Sequence, residues 1–265
     1  MNGFYQEIQP GRRLARYVEC YWSREEEQGT PNHSVLPDGC VDILFTTQNR
    51  EPAGLALVGL MTTPSAVDIP RGRGFFGVRF RPGMAAAFMP EAAQLNDRTE
   101  PLETIWGKTA RVISGRLAES PSPKLMAEIM EGVLRPLDPP DSAGRALGRL
   151  ADMTVPLNCL ASDAGLSERH FRRACAERAG VPPKYLRRIL RFRRATDRLS
   201  AIRRNAAQPD WAQFAAACGY YDQAHLIREF HEFAGCTPGR FVQSQARAGN
   251  LQSEHDEPAK TRKSD

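Results

Sequence analysis

The spacing of apolar residues divides the chain into two parts. Between residues 36 and 82 the apolar positions form short runs (CVDILFTT, GLALVGLM and GFFGVRFRP) separated by Gly, Pro, Asp and Thr, a pattern that predicts β-strands. The Asp38-Gly39 pair directly before the first run predicts a tight turn. After Pro82 the spacing becomes that of helices, in GMAAAFM, LETIWGKTARVISGRLAES and PKLMAEIMEGVLRPL.

The second of these helical segments carries an apolar stripe. Its members fall near helical spacing: Ile105, Thr109, Val112, Ile113 and Leu117. We expect the helices between residues 102 and 134 either to cover the β-rich core or to pack against a second copy of the chain, and the sequence leaves both open.

One helical pattern occurs twice in the second part of the chain. Residues 163–186 (DAGLSERHFRRACAERAGVPPKYL) and 217–241 (ACGYYDQAHLIREFHEFAGCTPGRF) align with one inserted residue, because Gly165 matches Gly219 at an offset of 54 and later positions match at an offset of 55. Each copy has a helix closed by Gly, a turn, a capping residue, a second helix and another Gly. This order predicts two helix-turn-helix units.

Further helices surround and join the two units. SAGRALGRLAD precedes the first unit and LNCLASDAG is the first helix of that unit, ending at Gly165. Ser167 and Asp222 are the predicted N-caps of the second helix in each unit. PPKYLRRILRFRRATDRLS predicts one long connecting helix from about Pro182 to Leu199, spanning about 27 Å at 1.5 Å per residue. That length approaches the roughly 34 Å between successive major grooves on one face of B-DNA.

Charge is distributed unevenly between the two parts. Residues 142–245 contain 17 Lys and Arg against 9 Asp and Glu, a net +8, whereas the remaining residues contain 19 against 22, a net −3. Sixteen of the 17 basic residues are Arg, the side chain suited to bidentate contacts with phosphate and guanine. The second part is therefore expected to bind a polyanion.

These patterns predict an α+β chain. We expect a β-rich, barrel-like sensor or dimerisation domain with trailing helices at 1–134 and a Pro-rich linker at 135–141. An all-α DNA-binding domain of two helix-turn-helix units joined by a long helix follows at 142–245, and a disordered tail at 246–265.

Other chemistry finds little support in the sequence. GRGFFG, residues 72–77, satisfies Gly-x-Gly-x-x-Gly but runs into a strand-like segment rather than a helix, which argues against a dinucleotide site. The six cysteines form no Cys-x-x-Cys pair, no spacing enforces a metal site on Cys20, His33 and Cys40, and Cys175 and Cys218 are expected to be buried thiols. We expect a cytosolic, non-enzymatic protein without metal or cofactor. The alternatives are a latent catalytic role of the N-terminal domain and a helical protein-interaction adaptor.

The repeated segment resembles the AraC/XylS family of bacterial transcription regulators. GYYDQAHLIREFHEFAGCTPGRF is similar to the family signature over its whole length, whereas the first unit departs from it at Val181-Pro182-Pro183 and at Arg169. LPDGCVDILF and GVRFRPG look like an uncharacterised sensor-type domain found fused to such regulators. The resemblance implies double-stranded DNA as partner. RNA polymerase, a small-molecule effector and a second copy of the chain are further candidates, and a membrane is not.

The resemblance also implies roles for individual residues. Base contacts fall on Arg169, Arg172 and Arg173 in the first unit and on Gln223, Ala224, His225 and Arg228 in the second. Phosphate contacts fall on Ser167, Arg187, Arg188, Arg191 and Arg194. Arg169 and Arg172 could instead be solvated or bound to phosphate, and His225 could instead cap or pack.

Overall fold

The computed structural model describes residues 5–137, 142–202 and 209–244, and its first part is built on antiparallel strands. The strands are β1 (Tyr5–Ile8), β2 (Val18–Glu26), β3 (Thr30–Val35), β4 (Val41–Gln48), β5 (Glu51–Val58), β6 (Ser65–Ile69), β7 (Arg73–Phe80) and β8 (Thr99–Pro101). Six of them form one sheet in the order β1-β2-β7-β4-β5-β8, and β3 pairs with β6. Among the residues described, β1 and β8 remain at the two edges of the larger sheet.

The central strands β2, β7 and β4 supply the core of this part. Tyr21, Ile43, Phe45, Phe76 and Val78 are all buried. The three runs predicted as strands correspond to β4, β5 and β7, and that prediction is confirmed. The Asp38-Gly39 turn is confirmed too, since Gly39 has φ 81° and the Asp38 carboxylate accepts the Cys40 N–H at 2.9 Å.

Three helices follow the strands and pack on the sheet. They are α1 (Leu102–Trp106), α2 (Lys108–Ala118) and α3 (Pro123–Val133), of which α1 and α2 contact β5 and α3 contacts β2 and β7. Of the two placements left open by the sequence, the structure therefore has the helices covering the β-rich core. GMAAAFM, predicted as helix, forms only a 3₁₀ turn at Ala85–Ala87.

The stripe predicted along LETIWGKTARVISGRLAES is partly wrong. Gly107, at φ 52° and ψ −131°, interrupts the segment, so α1 and α2 are separate helices with different phases. As a result Thr109 is exposed and Val112 is 62% exposed, whereas Ala110 joins Ile113 and Leu117 on the buried face.

The glycine-rich GRGFFG segment begins at Gly72, directly before β7, and continues into that strand, as expected for a segment that leads into a strand. The strand runs from Arg73 to Phe80 without a helix, and a side chain at Gly77 would clash with the indole of Trp22. The phosphate-binding geometry of a dinucleotide fold, which needs a helix N-terminus after the last Gly, does not occur here.

The second part of the chain is helical. It contains α4 (Ser142–Gly148), α5 (Leu157–Asp163), α6 (Glu168–Ala179), α7 (Pro183–Ile202), α8 (Trp211–Cys218) and α9 (Gln223–Ala234), and residues 238–244 are also helical. The predicted long connecting helix is α7. None of the helices in the described ranges is long and apolar enough to cross a membrane.

The chain forms two compact units, residues 1–193 and 194–265. Their boundary lies inside α7, so the first helix-turn-helix unit is grouped with the N-terminal sheet. Within the first compact unit, Gly180, which follows α6, lies close to the 3₁₀ turn at Pro90–Gln94, because a side chain at Gly180 would clash with the carbonyl oxygen of Ala93. Residues 138–141 of the predicted linker and the whole predicted tail, 246–265, lie outside the described residues.

Candidate nucleic-acid interface

Both predicted helix-turn-helix units are present, and their turns have the same backbone geometry. Gly165 after α5 and Gly219 after α8 are left-handed, with φ 67° and 87°. The next residue in each turn donates its N–H to the carbonyl five positions back, Leu166 to Ala161 at 2.9 Å and Tyr220 to Ala215 at 3.0 Å. These are the hydrogen bonds of a Schellman C-cap, so the repeat in the sequence is a repeat in structure.

The second helix of each unit begins at the predicted N-cap. The Ser167 hydroxyl accepts the His170 N–H at 3.3 Å, and the Asp222 carboxylate accepts the His225 N–H at 2.7 Å. Leu166 and Tyr220 are equivalent by their hydrogen bonds, and Ser167 and Asp222 are equivalent as caps. The inserted residue that changes the offset from 54 to 55 is therefore Tyr221.

Helix α6 presents its arginines away from its buried face. Phe171 and Cys175 are buried, as the sequence predicts, and the Cys175 thiol donates to the Val181 carbonyl at 3.3 Å, with burial raising its pKa to about 12. The three predicted base-contacting residues are all exposed: Arg169, Arg172 and Arg173. Arg173 also forms an exposed ion pair with Glu177 one turn later, at 3.5 Å.

Helix α9 has the same division between faces. Its predicted buried row of Leu226, Phe230 and Phe233 is completely buried. The predicted base-contacting residues Gln223, Ala224 and Arg228 are exposed on the first two turns.

His225 differs from the other predicted base-contacting residues because both of its ring nitrogens are engaged within the protein. Nδ1 accepts the backbone N–H of Tyr221 at 3.4 Å, and Nε2 lies 3.4 Å from the carboxylate of Glu229, which is 2% exposed. The ring also packs edge-on against Tyr220, with 5.3 Å between ring centroids. These contacts connect the turn to α9 and favour the capping and packing alternative.

The four arginines of α7 predicted to contact phosphate are half-buried: Arg187, Arg188, Arg191 and Arg194. Arg187 donates to the carbonyl of Val155 at 2.7 Å and approaches that of Asp152 at 3.4 Å, so it supports the segment before α5, and burial of its guanidinium lowers its pKa. Arg188 lies over the ring of Tyr185, 5.4 Å from its centroid, a cation–π geometry.

Arg193, to which the sequence assigned no role, joins α7 to the N-terminal sheet. Its guanidinium forms an ion pair with Glu19 of β2, with Nη1 at 3.1 Å from Oε2, and lies 3.2 Å from the Cys40 sulfur. Burial raises the pKa of Glu19, but the hydrogen bond and charge of Arg193 outweigh it, and the net pKa is lowered. Burial also raises the pKa of the Cys40 thiol well above its usual range.

Apolar packing surrounds this ion pair. A methyl group at Gly39 would lie 2.9 Å from Leu190 Cδ2 and 3.4 Å from Leu186 Cδ1, so the turn before β4 rests directly on α7. The Tyr185 hydroxyl donates to the Thr62 carbonyl at 3.2 Å. We call this set of contacts, Glu19, Gly39 and Cys40 against Leu186, Leu190 and Arg193, the α7 junction.

Potential metal ligands do not cluster in the described part of the chain. No group of three or more His, Cys, Asp or Glu side chains comes together there. Cys20, His33 and Cys40 have other surroundings: His33, for example, lies 3.4 Å from the Arg24 guanidinium, and burial lowers its pKa.

Two family models match separate parts of the chain. Residues 160–244 match a helix-turn-helix domain, and residues 6–101 match a domain of unknown function. No curated protein shows significant sequence similarity to the chain.

Solved structures of ToxT from Vibrio cholerae show a distant likeness. ToxT from strain O395 has 8% identity and a TM-score of 0.42, covering 84% of this chain and 96% of that one. A second ToxT crystal form has 8% identity and a TM-score of 0.41, covering 90% and 97%. At such low TM-scores the likeness carries no weight beside the geometry of the two turns.

The paired turns, their caps and the family match agree on the C-terminal part of the chain. This C-terminal part is an AraC-type helix-turn-helix domain that follows a domain of unknown function. The protein is therefore a DNA-binding transcription regulator.

Proposed function

We propose that this regulator binds a specific double-stranded sequence through α6 and α9, which contact successive major grooves, and that its N-terminal domain modulates the binding. The observation that best supports the proposal is the repeated capped turn. In each copy the turn and its cap fix the start of a helix that has hydrogen-bonding side chains on its exposed face. A helix of this kind enters the major groove, where base edges differ in donors and acceptors. The protein acts by binding rather than by catalysis, in the cytoplasm.

Base recognition is assigned to the exposed residues of the two helices. Arg228 has the geometry for guanine and Gln223 that for adenine, and Arg169, Arg172, Arg173 and Ala224 complete the set. For His225 the internal contacts favour a supporting role behind these residues. Phosphate contacts are assigned to Ser167, Arg187, Arg188, Arg191 and Arg194.

Modulation is assigned to the α7 junction. The N-terminal sheet and the first half of α7 belong to one compact unit, and Glu19 of β2 is bound directly to Arg193. A change in the sheet can therefore act on α7 through contacts, in addition to any effect through residues 135–141. Such a change alters DNA affinity only if the two states of the sheet interact differently with α7.

A small-molecule effector has a candidate site in a cleft between the sheet and the loop joining α2 to α3. The cleft has a volume of about 560 Å³, with Ser23 and Thr47 on the sheet side and Leu117, Ser122 and Met126 on the helix side. This volume falls in the range of small-molecule sites. RNA polymerase and a second copy of the chain are further proposed partners.

The test is selection from a pool of randomised DNA duplexes with the full-length protein. We expect enrichment of a non-palindromic motif of about two helical turns, with affinity that falls steeply with salt. A protein-interaction adaptor would enrich no sequence. Absence of enrichment by folded protein would contradict the proposed function.

A further inference from the structure

Tyr221 is the one residue by which the turn of the second unit exceeds that of the first. The hydrogen bonds and caps of the two turns leave it without an equivalent in the first unit. Its side chain is 92% exposed, although the residues on either side in the turn are a buried tyrosine and a capping aspartate. The insertion thus adds a large exposed aromatic directly before α9.

The backbone of Tyr221 is held in a defined position. Its N–H donates to Nδ1 of His225 at 3.4 Å, and His225 is in turn paired with the buried Glu229. The contact fixes the main chain of the turn against the first turn of α9, next to the exposed Gln223 and Ala224. Because the backbone is already held, only the side-chain torsions of Tyr221 have to be ordered when its ring makes a contact.

The two caps differ in what they can offer a phosphate. In the first unit the cap is Ser167, whose hydroxyl can donate a hydrogen bond. In the second unit the cap is Asp222, whose carboxylate oxygens accept hydrogen bonds and would repel a phosphate. The second unit therefore lacks a donor at the cap, and the adjacent inserted residue carries a phenolic hydroxyl.

We infer that Tyr221 is a DNA-contacting residue that donates its hydroxyl to a backbone phosphate at the groove edge where α9 enters. The inference rests on the proposed function, since it requires α9 to lie in the major groove. Tyrosine is among the side chains that contact phosphate, and such contacts fix the register of a protein on the duplex without selecting a base. Tyr221 acts in this way beside the bases contacted by Gln223 and Ala224.

The test compares full-length wild type with Tyr221→Phe and Tyr221→Ala, with Tyr5→Phe as the control because Tyr5 is also exposed, at 48%, but lies on β1. Affinity is measured on the duplex enriched by wild type and on a mixed-sequence duplex, each at several salt concentrations. Loss of one hydrogen bond to a charged phosphate should lower the affinity of Tyr221→Phe for both duplexes about ten- to hundredfold. The slope of log affinity against log salt should stay unchanged, since no charge is removed.

Other outcomes overturn the inference in distinguishable ways. Unchanged affinity of both Tyr221 variants would leave the exposed ring without a role in binding. A changed motif in a repeated selection with Tyr221→Ala would make Tyr221 a base-contacting residue instead. If wild type itself enriches no sequence, the proposed function fails and this inference with it. Thermal unfolding of each variant confirms that the fold is retained.

Discussion

On the second recognition helix, α9, some side chains are exposed and can contact DNA, whereas others form contacts within the protein. Arg228 is exposed, whereas His225 is engaged through both ring nitrogens. The resemblance to a family assigns both to base contact, because it transfers roles by position. Only the contacts of the folded chain distinguish the two.

Replacing Arg228 by Ala should relax the preference at one or two adjacent base pairs and cost about 1–3 kcal/mol of binding free energy, because a bidentate contact with a base is lost. The matched variant is Arg188→Ala on α7, which should weaken binding to all sequences about equally and reduce the salt slope by about 1. Selection and salt titration with both variants measure this. Equal, sequence-independent losses would remove the case for Arg228 as a base-contacting residue.

Replacing His225 by Ala should destabilise the fold as well as reduce DNA binding. The change removes the acceptor for the Tyr221 N–H and leaves the carboxylate of Glu229 buried without its imidazole partner. We expect a loss of about 1–3 kcal/mol in the free energy of unfolding, measured by urea denaturation. Unchanged stability with an altered motif would instead assign His225 to base contact.

Helices and turns were predictable from the sequence where their signals are local. Gly165, Ser167 and Gly180 lie within one short segment, so the turn, the cap and the end of α6 can be identified from neighbouring residues alone. The stripe along α1 and α2 was misassigned because Gly107, which interrupts it, does not by itself mark a helix end in the sequence but adopts a non-helical conformation with positive φ in the fold.

Contacts between elements were not predictable. Glu19 and Arg193 are 174 residues apart in sequence, and neither lies in a motif, so only the packing of α7 on the sheet brings them together. The same holds for strands β1, β3 and β6, which are largely exposed and lack an apolar run; their partners stabilise them.

Replacing Gly39 by Ala tests the turn that rests on α7. The control is Gly165→Ala: both glycines have positive φ, but a methyl group meets Leu190 at 2.9 Å in the first case and no atom within 4 Å in the second. We expect a loss of about 2–3 kcal/mol in the free energy of unfolding for Gly39→Ala and about 1 kcal/mol for Gly165→Ala, since only the first adds overpacking to backbone strain. Equal losses would contradict the close packing.

The ion pair of the α7 junction should show a defined pH dependence. Because the pKa of Glu19 is lowered in the fold, its stabilisation is present above the unfolded value and is lost as pH falls through the lower folded value. Wild type should therefore be more stable than Glu19→Gln by about 1 kcal/mol above pH ~5, and the difference should shrink as pH falls further, towards the lowered folded pKa of Glu19. Urea denaturation across this range measures the difference, and a constant difference would contradict the role of the charge.

At the scale of the whole molecule, the N-terminal domain and the DNA-binding domain differ in net charge, and this difference indicates different roles. Residues outside 142–245 carry a net −3, which disfavours DNA binding by the N-terminal domain itself. Its sheet nevertheless contacts α7, the helix that leads from the first helix-turn-helix unit to the second. We therefore expect the domain to influence DNA binding through the protein rather than through DNA contacts of its own.

This coupling predicts that a change in the sheet alters DNA affinity. Glu19 lies on β2, so Glu19→Ala in the full-length protein should shift affinity for the enriched duplex in the same direction and by the same factor as Arg193→Ala. The double variant should shift it no further, because both changes break one ion pair. Arg24→Ala is the control, since Arg24 pairs with Glu26 within β2 rather than with α7. If Glu19→Ala leaves affinity unchanged while Arg193→Ala lowers it, Arg193 acts on DNA directly and the junction does not transmit regulation.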